Sequence, residues 1–145
     1  MLKLICQFLS SSFKKNIQNI KYLLFKILFM QRSVIVIDDD KDTVRLFSEF
    51  LEENDIKVLG GGYDGNTAIK LYEEKKPDII LMDIMMPNGS GFHAIRKIQE
   101  IDPNAKFIVV SGDSNYLTEE KLEKLGIPLI QKPFNLKNLL SIIKA

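Results

Sequence analysis

Five short apolar runs, separated by longer segments with helical spacing, constrain the fold of residues 33–145 more than any other feature. The runs, which we interpret as strands, are "VIVI" (34–37), "IKVLGG" (56–61), "DIILMD" (78–83), "KFIVVS" (106–111) and "PLIQ" (128–131). The predicted helices are about 43–53, 65–75, 91–101, 115–125 and 135–144. This alternation predicts an α/β fold, a doubly wound five-stranded parallel sheet with helices on both faces.

Charged and hydroxyl residues stand where four of the predicted strands end. Asp38 and Asp39 follow the first strand, Asp83 and Ser111 end the third and fourth, and Lys132 follows the fifth. Because such sheets bind ligands at the carboxyl ends of their strands, we expect these five side chains to converge. Clustered carboxylates repel one another unless a cation joins them or one proton is retained. Their oxygen ligands favour a hard cation, and Mg²⁺ suits such a site.

Asp83 is the candidate phosphoryl acceptor of this cluster. An aspartyl phosphate beside a metal ion needs a carboxylate nucleophile, a cation, an ammonium group and a hydroxyl group. Lys132 supplies the ammonium and Ser111 the hydroxyl that would meet the oxygens of the phosphoryl group. The residue types therefore point to phosphoryl transfer onto an aspartate.

Four fragments carry a family resemblance, "VIVIDDD", "PDIILMDIMMPNGSG", "FIVVSG" and "QKPF", in this order. With 45 residues from Asp38 to Asp83 and 49 from Asp83 to Lys132, residues 33–145 resemble the flavodoxin-like receiver domain of two-component response regulators. The resemblance implies that Asp38, Asp39, Asp83 and the backbone carbonyl of Met85 hold Mg²⁺. It also implies phosphorylation of Asp83, contacts of Ser111 and Lys132 with the phosphoryl group, and a cis Lys132–Pro133 bond.

The same resemblance implies a signalling function. We expect a cytoplasmic switch that assists its own phosphorylation and dephosphorylation but is not otherwise an enzyme. Its phosphoryl donor would be a histidine kinase or a histidine phosphotransfer protein, and its output a downstream protein target. Because the chain stops at Ala145, after the fifth predicted helix, we expect a stand-alone receiver. A relay intermediate that passes the phosphoryl group to another histidine is an equally open interpretation.

Leu129 departs from the family pattern. Three residues before the lysine, receivers usually carry an aromatic residue whose ring swings inward during signalling. The segment "LGIPLIQKP" is also one residue shorter than the common form. We therefore expect the phosphorylation chemistry without signalling by an aromatic ring.

Two other phosphate- or metal-binding patterns fit the acidic segment less well. Asp38, Asp40, Asp42 and Glu49 fall on positions 1, 3, 5 and 12 of an EF-hand calcium loop, but Thr43 replaces the required glycine. A predicted strand precedes this segment and a predicted helix runs through it. A haloacid-dehalogenase-type phosphatase would need a threonine where Asp42 stands and more chain for its usual cap.

Asp40 and Asp42 have a simpler interpretation than metal binding. Acidic residues in the first turn of a helix are favoured by the helix dipole, and we expect both side chains to be capping or solvated. His93 is alone on a predicted helix, with no residue at metal-binding spacing, so we expect a surface position.

The charge distribution separates residues 1–32 from the rest. This extension carries six basic residues and no acid, which leaves 14 basic against 19 acidic residues, a net charge of −5, for residues 33–145. An acidic receiver argues against nucleic acid binding. The single cysteine, Cys6, fits a reducing compartment.

The extension itself has an amphipathic helical pattern, with apolar residues at Phe13, Ile17, Ile20, Leu24, Ile27 and Leu28. Its apolar runs are too short to cross a membrane. We expect peripheral contact with an anionic membrane surface or a partner groove. A start at Met30 would make this segment a start-site artefact.

Overall fold

The computed structural model describes residues 16–25, 31–87, 91–112 and 115–145. The chain divides into two units, Met1–Gln31 and Arg32–Ala145. In the first unit, residues 16–25 are helical, whereas Phe13, Ile27 and Leu28 of the predicted amphipathic helix lie outside the described residues. Within the described part of the chain, no helix has the length and apolar character needed to cross a membrane.

The second unit is the predicted α/β fold. Its strands are β1 (Ser33–Ile37), β2 (Lys57–Gly62), β3 (Ile79–Met82), β4 (Phe107–Ser111) and β5 (Leu129–Gln131). Its helices are α1 (Lys41–Glu53), α2 (Gly65–Lys75), α3 (Gly91–Ile101), α4 (Tyr116–Lys124) and α5 (Leu136–Lys144). All neighbouring strands pair in parallel, in the order β2-β1-β3-β4-β5. The prediction of a doubly wound parallel sheet is confirmed, and the element bounds agree within two residues.

The core lies in two layers because successive strand residues point to opposite faces of the sheet. Ile35 and Ile80 belong to the layer covered by α2, α3 and α4. Val36 and Leu81, which are next to them in sequence, belong to the layer covered by α1 and α5. Both faces of β1, β3 and β4 are therefore buried, and this explains why these strands are almost continuously apolar.

Helix α1 begins at Lys41, two residues earlier than predicted, because Asp40 is its N-cap. One oxygen of the Asp40 carboxylate accepts a hydrogen bond from the Asp42 backbone N–H (3.2 Å), and the other accepts one from the Thr43 hydroxyl (2.6 Å). The Thr43 hydrogen bond is the main reason that the pKa of Asp40 lies below its usual value. The capping role expected for Asp40 is confirmed, and Asp42 lies exposed in the first turn.

A buried tyrosine joins α2 to the segment after α3. The hydroxyl of Tyr72 donates a hydrogen bond of 2.5 Å to the carboxylate of Asp102. Burial, this hydrogen bond and the negative charge of Asp102 raise the pKa of Tyr72 to about 12. Conversely, the hydrogen bond from Tyr72 is the main cause of a lowered pKa at Asp102.

Replacing Tyr72 should therefore change how stability depends on pH. Its pKa is raised on folding, so its contribution is complete below pH 10.0 and is lost as the pH rises through about 12. We expect Tyr72→Phe to lower the free energy of unfolding by about 1 kcal/mol at neutral pH. The variant should also lack the part of the stability loss at alkaline pH that comes from Tyr72. Denaturant unfolding at a series of pH values measures both effects. Tyr63→Phe, a change at an exposed tyrosine, is the control, and an unchanged alkaline profile in Tyr72→Phe would contradict the assignment.

Candidate functional site: an acidic cluster bridged by a lysine

The sheet brings the predicted site residues to one edge. Asp83 donates its backbone N–H to the carbonyl of Ile37 (2.8 Å), which extends the pairing of β1 with β3 beyond the last strand residue. In the same way, the N–H of Lys132 bonds to the carbonyl of Ser111 (2.9 Å) and extends the pairing of β4 with β5. Because β1, β3, β4 and β5 are consecutive in the sheet, their carboxyl ends lie side by side.

Asp38, Asp39 and Asp83 form an acidic cluster at this edge. One carboxylate oxygen from each lies within 4.8 Å of the others. Asp38 and Asp83 are buried, with 3% and 8% of their surface exposed, whereas Asp39 is exposed. Oxygen donors this close together, and open to solvent on the Asp39 side, have the chemistry of a site for a hard divalent cation. The residues present therefore fit Mg²⁺.

Lys132 bridges the two buried carboxylates of the acidic cluster. Its ammonium nitrogen is 2.8 Å from Oδ2 of Asp38 and 3.2 Å from Oδ2 of Asp83. Burial by itself would lower the pKa of Lys132, but the hydrogen bonds and negative charges of the two aspartates raise it above its usual value. The ammonium is therefore charged at neutral pH. It leaves this group of three carboxylates and one ammonium with a formal charge of −2.

Backbone N–H groups fix the other oxygen of each buried carboxylate. Oδ1 of Asp38 accepts a hydrogen bond from the N–H of Asp40 (2.9 Å), and Oδ1 of Asp83 accepts one from the N–H of Met85 (2.8 Å). Each carboxylate is thus held at one oxygen by the backbone and at the other by Lys132. This dual contact orients both groups before any ligand arrives.

The remaining predicted site residues lie around this centre. Ser111 is fully buried as the last residue of β4. Met85 follows Asp83 by two residues. Its side chain is 60% exposed, and its backbone N–H contacts the Asp83 carboxylate. The Lys132–Pro133 bond is cis, as the resemblance implied. His93 is exposed on α3, as expected, within 3.5 Å of the Arg96 guanidinium.

Sequence reasoning missed a contact that ties α4 to β5. The side-chain amide of Gln131 donates a hydrogen bond of 2.6 Å to the carboxylate of Glu119. Leu129, at the start of β5, is half-buried in the core layer under α2, α3 and α4. With Glu119, Gln131 and neighbouring side chains, it lines a cavity of about 360 Å³ between α4 and β5. No local sequence pattern signals this hydrogen bond, because its partners are 12 residues apart and both are polar surface residues.

The glycine that begins α3 connects this helix closely to the acidic cluster. A Cβ atom at Gly91 would lie 2.8 Å from the carbonyl oxygen of Asp83 and 2.6 Å from the Cα of Ile84. Its N–H also bonds to the carbonyl of Ile84 (3.2 Å). Only glycine allows the start of α3 to pack this closely against the backbone that follows Asp83.

Known proteins share this fold and sequence pattern. Residues 34–144 match the response regulator receiver domain. The chemotaxis protein CheY of Thermotoga maritima is 36% identical over 106 residues, which cover 72% of this chain and 88% of that protein.

Solved structures agree with these sequence matches. A CheX–CheY–BeF3–Mg complex from Borrelia burgdorferi contains a chain with a TM-score of 0.71 and 25% identity, covering 76% of this chain and 84% of that one. The response regulator domain of Thermotoga maritima CheB has a TM-score of 0.69 and 30% identity, covering 79% of this chain and 94% of that one. Sequence and structure together show that this chain belongs to the response regulator receiver domain family.

Proposed function

We propose that the protein is a phosphorylation-dependent signalling switch in which Asp83 accepts a phosphoryl group. The observation that carries this proposal is the geometry of Asp83, whose carboxylate is oriented by the Met85 N–H and contacted by the Lys132 ammonium. An oxygen of Asp83 would attack the phosphorus of a phosphohistidine on a histidine kinase or a histidine phosphotransfer protein. The P–N bond then breaks, and the imidazole leaves with its electron pair.

The surrounding groups have distinct roles in this step. Mg²⁺, when bound by Asp38, Asp39, Asp83 and the Met85 carbonyl, supplies positive charge to the phosphoryl oxygens. Lys132 is already within hydrogen-bonding distance of Asp83. One of its N–H groups, now bonded to a carboxylate, would instead donate a hydrogen bond to the incoming phosphoryl group. Ser111 is buried at the end of β4, and its hydroxyl would donate a hydrogen bond to another phosphoryl oxygen. Movement of these two residues would alter the surface that a downstream protein recognises.

The Asp83 assignment is tested by phosphorylation with a small donor. With Mg²⁺ present, acetyl phosphate or phosphoramidate should add one phosphoryl group to the wild-type protein, as measured by intact mass. Asp83→Asn should remain unmodified because the amide is not a nucleophile. Asp42→Asn, which changes an exposed carboxylate on α1, should be modified like the wild type. A phosphoryl group on Asp83→Asn would refute the assignment.

Metal binding should stabilise the protein, because the three carboxylates and Lys132 carry a formal charge of −2. At a Mg²⁺ concentration about 100 times its Kd, we expect a gain of about 2.7 kcal/mol, visible as a higher Tm. Asp39→Ala should lose this response yet keep or gain stability without metal, since repulsion is relieved. Asp42→Ala is the matched control. Equal Mg²⁺-induced shifts in the wild type and Asp39→Ala would show that the ion binds elsewhere.

We also propose that residues 1–32 contact an anionic membrane surface. Residues 16–25 form a helix that carries apolar side chains and Lys21, in a segment with six basic residues and no acid. Each Lys or Arg near such a surface adds about 1 kcal/mol of attraction. Binding would then combine this attraction with insertion of the apolar side chains.

A vesicle assay tests the membrane proposal. The full chain should sediment with vesicles that contain phosphatidylserine and should sediment less as salt is raised, because the attraction is electrostatic. A chain that begins at Met30 should stay soluble and accept phosphate from acetyl phosphate, but should not sediment. Equal sedimentation of both chains would refute the proposal. It would also be refuted if the full chain bound neutral vesicles as strongly as vesicles that contain phosphatidylserine.

A further inference from the structure

A second cavity, away from the acidic cluster, lies between α3 and α4. It has a volume of about 440 Å³, within the range of small-molecule sites. We call it the α3–α4 groove, and the side chains used below are those of Phe92, His93, Ile95, Arg96, Lys121 and Leu125. All lie on α3, on α4 or at the C-cap of α4.

The α3–α4 groove is basic although the receiver as a whole is acidic. Arg96, Lys121 and His93 line it, and no carboxylate does so among the described residues that form its walls. Of the four glutamates on these helices, two are paired with lysines, Glu100 with Lys97 (2.8 Å) and Glu120 with Lys124 (2.6 Å). The other two, Glu119 and Glu123, line the cavity between α4 and β5 instead. The hydrogen bond from Lys97 is the main cause of a lowered pKa at Glu100, and the positive charge of Lys97 adds to it. Among the described wall residues, Arg96 and Lys121 therefore face no carboxylate.

One part of the groove is apolar and aromatic. The Phe92 ring lies under the Lys121 ammonium, whose nitrogen is 3.9 Å from the ring centroid. Ile95 is buried, and Leu125 is 42% exposed. The Arg96 guanidinium lies 3.5 Å from the ring nitrogen Nδ1 of His93. The planar guanidinium of Arg96, with its several N–H donors, thus lies beside an apolar surface against which a ring can pack.

We propose that the α3–α4 groove binds a small phosphorylated compound that carries one planar ring, of the nucleoside monophosphate class. Arg96 would bind the phosphate with two parallel hydrogen bonds, as guanidinium groups commonly do. Lys121 would add a third donor, because contact with an aromatic face leaves the ammonium charge in place. The ring of the ligand would lie against Leu125, beside the Phe92 ring whose face is covered by the Lys121 ammonium. This site is separate from the acidic cluster, and its occupancy does not require phosphorylation of Asp83.

The proposal is tested by titrating the full chain with the four common nucleoside monophosphates, followed by NMR chemical shifts. At least one should bind saturably and shift the amides of α3 and α4. Arg96→Gln and Lys121→Gln should each weaken binding by at least tenfold. Lys97→Gln and Lys124→Gln are the matched controls, because they remove the same charge from the same helices outside the groove and should retain the affinity within twofold.

Further arms identify which part of the ligand is recognised. The unphosphorylated nucleoside and inorganic phosphate should each bind more weakly than the monophosphate, since each lacks one half of the contact. The proposal is overturned if no monophosphate saturates, or if the four variants lose affinity equally. It is also overturned if the shifts map to the backbone around Asp38 and Asp83. All four substituted residues are on the helix surfaces, so unchanged Tm values are expected and exclude unfolding as the cause.

Discussion

The bridge from the Lys132 ammonium to Asp38 and Asp83 is the interaction on which the site depends. Two buried carboxylates side by side would repel each other, and a cation between them turns this repulsion into attraction. Lys132 is 94 residues from Asp38 in the chain, so the bridge exists only when β1, β3, β4 and β5 have assembled in this order. The order of the strands and the charge balance of the site are therefore linked.

The same bridge connects the site to the surface of the receiver. Lys132 follows Gln131, whose side chain is hydrogen-bonded to Glu119 on α4. A displacement of the backbone at Lys132 would therefore reach α4 through a polar contact. Leu129, two residues before Gln131, has no ring with which to report such a displacement. The Gln131–Glu119 hydrogen bond thus joins β5 to α4 without an aromatic side chain.

The sequence predicted the strands, the helices and the convergence of the site residues, because these follow from apolar periodicity and one rule about strand ends. It did not predict the resting partners of Lys132, which was expected only to meet a phosphoryl group. Nor did it predict the Tyr72–Asp102 and Gln131–Glu119 hydrogen bonds, since side chains far apart in sequence meet only after helices pack. The start of α1 differed by two residues because the run "DDDKD" offers several N-caps, and packing selected Asp40.

Charge is segregated in this receiver in a way that its net value of −5 conceals. At the carboxyl edge of the sheet, three carboxylates outnumber one ammonium, so the net negative charge there repels a phosphoryl group unless a cation is added. At the α3–α4 groove, Arg96 and Lys121 line the walls, and none of the described wall residues carries a carboxylate. An anion can therefore be attracted there without a metal. The two regions thus present opposite charges, although α3 follows the segment that carries Asp83.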